Sequence, residues 1–213
     1  MQDLVIIGAG LFGQEMAKTV RRLVAEEGAQ WNLLGFIDEE AAGEIEGTKV
    51  LGKLEDFLKM DKSVQFFIAD KDGYVRERIA KICKAAGFTG ATIIDKIGVI
   101  APSVEIGEGC YIGYLSFIMP AVKLGAFGIY ERGTVIGHDT EVGPYSTFRM
   151  YASLGGDSAI GAHTTLGLRC TLINMVNIPD NCEFAAGSCV IKNTPQSGYY
   201  AGVPAKLIRP YEG

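Results

Sequence analysis

A chain of 213 residues is long enough for one large domain or two small ones, and its 48% apolar content can build a core for either. A formal net charge of -5 gives nucleic acid no basic surface to meet, and no apolar run approaches the roughly 20 residues that span a bilayer, so neither nucleic acid nor membrane is an expected partner. Five cysteines without paired spacing argue against a disulfide framework or a CxxC metal site, and the start of the chain lacks the pattern of a secretory leader, so the expected location is cytoplasmic.

From residue 1 to about 95, short apolar runs alternate with amphipathic stretches. The pattern predicts strands over 4–7 and 33–37 with a helix over 12–26 between them. It continues with a strand over 64–69, a helix over 75–86 and a strand over 91–94. Such alternation implies a parallel sheet with helices on its faces, a Rossmann-like α/β domain over 1–95. On the second helix Val75, Ile79, Ile82, Cys83 and Ala86 mark an apolar face, while Arg76, Glu77, Arg78, Lys81 and Lys84 mark a polar one, and Gly87 ends the helix. The loop Gly8-Ala9-Gly10-Leu11-Phe12-Gly13 follows a strand and opens a helix, and Asp38 stands at the end of the second strand. This satisfies the dinucleotide fingerprint formally. Some ninety residues make only half of a doubly wound sheet, however, which suits a mononucleotide better than NAD. Arg76 is a candidate sugar or phosphate contact, although a solvated helix face explains it equally well.

From residue 100 the period becomes six. The positions Ile100, Ile106, Ile112, Ile118, Leu124, Tyr130, Ile136, Val142, Phe148, Leu154, Ile160, Leu166, Leu172, Ile178, Phe184 and Val190 are all bulky and none is charged. Eight of them are followed directly by glycine, as at Gly107, Gly113 and Gly125, and the residue four places on is always small or β-branched. A period of six fits neither a helix nor a lone strand, but it fits a coil of three flat faces whose interior takes the bulky residue. The glycine after it reads as the residue that turns each corner. Sixteen hexads make about five coils, a column about 25 Å long at the ~4.8 Å strand spacing.

These hexads, together with the ending Ala201-Gly202-Val203-Pro204-Ala205-Lys206, resemble those of the left-handed β-helix acyltransferases. With the N-terminal α/β domain attached, the whole chain resembles the sialic acid O-acetyltransferase family, which includes N-acetyltransferases of nucleotide-linked 4-amino sugars. The resemblance implies a left-handed β-helix over 96–213, a homotrimer, and acetyl transfer from acetyl-CoA to a nucleotide-linked amino sugar in surface polysaccharide or glycan synthesis. O-acetylation of a free acidic sugar, or a binding role on a retained scaffold, are the competing readings.

The chain has two histidines, too few for a three-histidine zinc site of the γ-carbonic-anhydrase kind, and no metal is expected. His138 follows Ile136-Gly137 just past a corner and precedes Asp139. The family's general base and its orienting acid sit at this phase, which assigns those roles to His138 and Asp139. His163 matches no motif and reads as a face residue. The resemblance also places an oxyanion-binding backbone N–H at Gly156, one coil of eighteen beyond His138, and acetyl-CoA contacts near Thr147, Leu168 and Ala186. Lys192, with Lys206 and Arg209, could meet the phosphates of CoA. In the N-terminal domain it implies nucleotide phosphates near Gly8, Gly10, Leu11 and Phe12, and the base near Asp38 and Glu39. Phe12 and Thr147 each replace a histidine common in relatives, which leaves the acceptor less defined than the acyl donor.

Overall fold

The computed structural model describes residues 1–95 and 98–211, which fall into two compact units, Met1–Ile93 and Ile94–Gly213. Residue 96, where the β-helix was expected to begin, and residue 213, where it was expected to end, lie outside the described residues.

In chain order the first unit runs β1 (Gln2–Ile7), α1 (Leu11–Glu27), β2 (Trp31–Ile37), β3 (Glu44–Ile45), β4 (Thr48–Gly52), α2 (Leu54–Phe57), β5 (Gln65–Ile68) and α3 (Gly73–Ala85). The strand order is β3-β4-β2-β1-β5, and every pairing is parallel except β3 with β4. Central β1 reads as an unbroken apolar run because it is covered on both faces, with Leu4, Val5 and Ile6 fully buried. Helix α1 lays Gly13, Met16, Ala17, Val20 and Leu23 on the sheet and stops at left-handed Gly28. A Cβ on Gly13 would run into the Gly8 carbonyl oxygen, so the last glycine of the loop is needed for helix and loop to touch. The chain leaves β2 on one side of β1 and returns as β5 on the other, so a topological switch lies beside β1.

Two expectations are corrected here. The residues α3 buries are Arg76, Ala80 and Cys83, whereas Ile82 is 41% exposed, so the helix is rotated from its expected face. The 91–94 run is not a full strand of this sheet: Gly90 forms an isolated bridge with Phe66, and only Ile93–Ile94 is strand. The β3–β4 hairpin and α2 were not anticipated; the hairpin turns at Glu46 and Gly47, both left-handed.

The second unit is a parallel β-helix. Sixteen short strands from Val99–Ile100 to Cys189–Val190 coincide with the sixteen hexads, and strands three apart pair in parallel, as Phe117 with Val135, Val135 with Ser153, and Ser153 with Thr171. One coil is therefore eighteen residues and contributes one strand to each of three faces. From Ile112 to Val190 the bulky hexad residues are at most 4% exposed and form one continuous core. The small residues four places on also point inward, and some of their hydroxyls bond to corner carbonyls: Thr134 Oγ1 donates to Glu131 O at 2.6 Å and Ser146 Oγ to Gly143 O at 2.9 Å.

The corner differs from the sequence-based expectation. The glycine after each bulky residue has no left-handed backbone; its role is close approach, because a Cβ on Gly107 or Gly113 would lie 2.5 or 2.6 Å from the backbone N of Ala126 or Arg132 on the next coil. The left-handed residue sits two places later. Eleven non-glycine residues, among them Leu115, Asp139, Asp157, His163 and Met175, adopt φ of 53–61° there. Each costs about 1 kcal/mol against an ordinary conformation, and the ladder between coils sustains the cost.

Candidate active site

The strand Val135–Ile136 ends at a corner where Gly137 packs on the coil below and His138 turns outward, its side chain 54% exposed. The backbone there is clamped: Asp139 N–H donates to Pro120 O at 3.0 Å, and His138 O accepts from Asp157 N–H at 2.8 Å. Asp139 Oδ2 lies 2.9 Å from His138 Nδ1, a contact that favours the tautomer with the proton on Nδ1 and the lone pair on Nε2. Gly156, one coil on, lies under the other side of the ring, where a Cβ would stand 2.9 Å from Nε2. Its N–H makes no hydrogen bond among the described residues. At the matching corner position of other coils a carboxylate takes this N–H, as Asp180 does for Ala162 at 2.7 Å and Glu131 for Met150 at 3.0 Å. The arrangement therefore offers a proton acceptor and an unspent N–H donor side by side, the pairing that acyl transfer uses.

Sequence reading missed Asp157, whose Oδ2 is 3.9 Å from His138 Nδ1. The eighteen-residue coil that located Gly156 also places Asp157 one coil beyond Asp139, and that was the available signal. Burial pushes the Cys170 thiol up to about 12 and the Cys83 thiol up to about 11, which makes these two poor nucleophiles.

The expected acetyl-CoA residues divide. Lys192 stands exposed on the His138 corner, three coils along the 138, 156, 174 column. Leu168, 41% exposed, and Ala186 stack one coil apart on the corner at the opposite edge of the same face. Thr147 belongs to the third face and is buried at 1% exposure. One chain does not bring Leu168, Ala186 or Thr147 to His138.

In the N-terminal unit a cleft of about 510 Å³ opens at the carboxyl ends of β1, β2 and β5, lined by Gly8, Asp38, Glu39, Asp70, Arg78 and Ile79 among others. Open α/β sheets take ligands at such a switch point. Asp38 Oδ2 accepts from Ala9 N–H at 2.7 Å, and its Oδ1 from Glu40 and Ala41 N–H at 3.0 and 2.9 Å. Burial opposes its ionisation, but the donations from Ala9, Ala41 and Glu40 together outweigh that and hold the carboxyl below its ordinary range. Asp38 thus ties the Gly8–Gly10 loop to the end of β2. Glu39 Oε1 accepts from Leu54 N–H at 3.2 Å. Leu11 is 87% exposed beside Gly10, and Phe12 packs edge-on against Phe67 with the Lys71 ammonium 4.8 Å from its ring centre. Arg76 is neither a solvated helix residue nor open to the cleft: it is 1% exposed and donates to Asp70 O at 2.9 Å, buttressing the loop from below. Arg78 is the cation that lines the cleft, and it was not singled out from sequence.

Residues 3–83 match the PglD N-terminal domain family. The chain is 25% identical over 192 residues to a GDP-perosamine N-acetyltransferase of Escherichia coli O157:H7, covering 89% of this chain and 78% of that one. It is 32% identical over 114 residues to an uncharacterized protein of Acanthamoeba polyphaga mimivirus, which spans 53% of this chain but only 22% of the viral one. Among solved structures, the acetyltransferase domain of PglB from Neisseria gonorrhoeae with acetyl coenzyme A superposes with a TM-score of 0.88 at 22% identity, over 97% of this chain and 99% of that one. A mutant perosamine N-acetyltransferase from Caulobacter crescentus, in complex with CoA and GDP-perosamine, gives 0.89 at 24% identity over 96% of each chain. Residues 3–83 thus match the PglD N-terminal domain family, and the α/β unit followed by a parallel β-helix is the fold that the chain shares with these solved acetyltransferase structures.

Proposed function

We propose that this protein transfers the acetyl group of acetyl-CoA to the amino group of a nucleotide-linked sugar, using His138 as general base. The observation that carries the reading is the imidazole held with Nδ1–H on Asp139 and Nε2 over Gly156, whose N–H is unspent. The sugar amine attacks the thioester carbonyl while Nε2 takes its proton, the oxyanion draws on the Gly156 N–H, and the CoA thiolate leaves with the proton returned by His138. The cleft ending β1, β2 and β5 holds the nucleotide, with Asp38 shaping the phosphate loop and Glu39 and Arg78 as base or ribose contacts.

The proposed working form is a homotrimer. The face between the His138 corner and the Leu168–Ala186 corner exposes Val99, Phe117, Met119, Ile173 and Ile191, each between 42% and 59% exposed. An apolar strip of this kind suits burial against copies of the chain. Three such faces turned to a common axis set the Leu168 corner of one copy beside the His138 corner of the next, which supplies the acetyl-CoA residues that one chain separates. Lys192, on the His138 column, is then available to a CoA phosphate. None of the five cysteines forms a disulfide, which fits a reducing cytoplasm, and no helix among the described residues is long and apolar enough to cross a membrane.

The test is thiol release from acetyl-CoA against UDP-, dTDP- and GDP-linked 4-amino sugars, with native protein and His138→Ala. Turnover on one of them that falls about 100-fold or more without His138 is the expected result. No turnover on any, or activity indifferent to His138, overturns the reading.

A further inference from the structure

His138 faces two carboxylates rather than one. Asp139 and Asp157 occupy the same left-handed corner position on successive coils, with φ of 53° and 54°. Their Oδ2 atoms stand 2.9 and 3.9 Å from the same Nδ1. Asp157 is also tied to the histidine through the backbone, its N–H donating to His138 O at 2.8 Å. The coil before offers Pro120 and Ala121 at these registers and the coil after offers Asn174 and Met175. The titratable groups gathered at this corner are therefore His138, Asp139 and Asp157, whose ring nitrogen and carboxylate oxygens lie within 4.8 Å of one another.

A single exposed carboxylate on the neighbouring residue is a weak clamp, since both side chains rotate freely and water competes for each. A second carboxylate from the next coil, the coil that also carries Gly156, closes that freedom. We infer that Asp157 is a second positioning residue for His138, sharing the Nδ1–H with Asp139 so that Nε2 stays over Gly156 in either arrangement. The role rests on the reading of His138 as the base. It makes the two aspartates partly redundant, and it makes the imidazolium formed during the reaction the shared partner of both charges.

Asparagine tolerates the left-handed conformation, so Asp139→Asn, Asp157→Asn and the double variant change charge and hydrogen bonding without changing the backbone demand. In the full-length protein each single variant is expected to lose about 3- to 10-fold in kcat/KM, mostly in kcat, and the double variant about 100-fold. Asp157→Glu is expected to recover part of the single loss. Asp157→Asn is also expected to move the acidic limb of the kcat/KM profile to lower pH by about half a unit, because removing a negative charge disfavours the imidazolium. Nitrogen-15 spectra give a readout that needs no substrate. With two histidines in the chain, the ring signals of His138 are expected to lose Nδ1–H tautomer in the double variant, while those of His163 stay in place. A double variant no worse than Asp139→Asn, or His138 ring signals indifferent to Asp157, overturns the proposal. Absence of turnover in the native protein would instead sink the functional reading, leaving the spectra to decide the role of Asp157.

Discussion

The two units of this protein solve the same problem at different range. In the β-helix each hexad strand pairs with strands eighteen residues away, so one local rule, repeated, specifies strand, corner and core together. In the α/β unit β1 pairs with segments about thirty and sixty residues away, and the site forms where three strand ends happen to converge. Repetition makes the first unit legible and tolerant of strain, whereas the second depends on a few contacts that occur once.

That contrast can be broken or sharpened by experiment. The largest expected effect is in the shared column: Phe148→Ala empties a fully buried core position on one coil and should cost about 3–5 kcal/mol, read as a lower denaturant midpoint. Gly13→Ala is the counterpart in the α/β unit. Its Cβ meets the Gly8 carbonyl, so it should cost at least about 2 kcal/mol and abolish nucleotide binding, measured by calorimetry, while acetyl-CoA binding survives. Gly156→Ala should lower kcat by about 100-fold, or about 2.7 kcal/mol, with little change in melting temperature, because the added methyl displaces the His138 ring at an exposed corner. Equal loss of stability and activity would show that the glycine serves packing alone.

Asp38 supplies a pH test. Its carboxyl is held below the ordinary aspartate range, so its stabilising effect is complete above about pH 4 and disappears as the pH falls through the lowered folded value. The stability difference between native protein and Asp38→Asn should therefore shrink with acidification below about pH 4; a difference constant down to pH 2 would contradict the backbone clamp. The smallest effect concerns corner strain. Met175, 68% exposed at φ 58°, should gain about 0.5 kcal/mol when replaced by asparagine, visible as a slightly raised denaturant midpoint.

The same difference explains what could be read in advance. That Gly156 and Asp157 lie beside His138 and Asp139 was recoverable because position in a coil follows from position in the chain, whereas the roles expected of His138, Asp139 and Gly156 came from the family resemblance; Asp157 was overlooked. Arg76 and Arg78 could not be separated, since a helix of thirteen residues with mixed faces turns by packing against a sheet whose register the helix itself does not encode. The corner glycines were assigned the right place and the wrong reason, because the spacing shows where the chain is crowded but not which torsion relieves the crowding.

From the sequence alone came the hexad period, the coil length, the alternation of strands and helices, and the place of His138 just past a corner. Each of these is a local or periodic property, in which neighbouring residues carry the information. Only the tertiary structure decided which N–H is left unspent at Gly156, that Arg76 is buried while Arg78 lines the cleft, and that Leu168 and Ala186 stand on a different corner from His138. Those outcomes depend on distances between segments brought together by folding, and no spacing along the chain measures them.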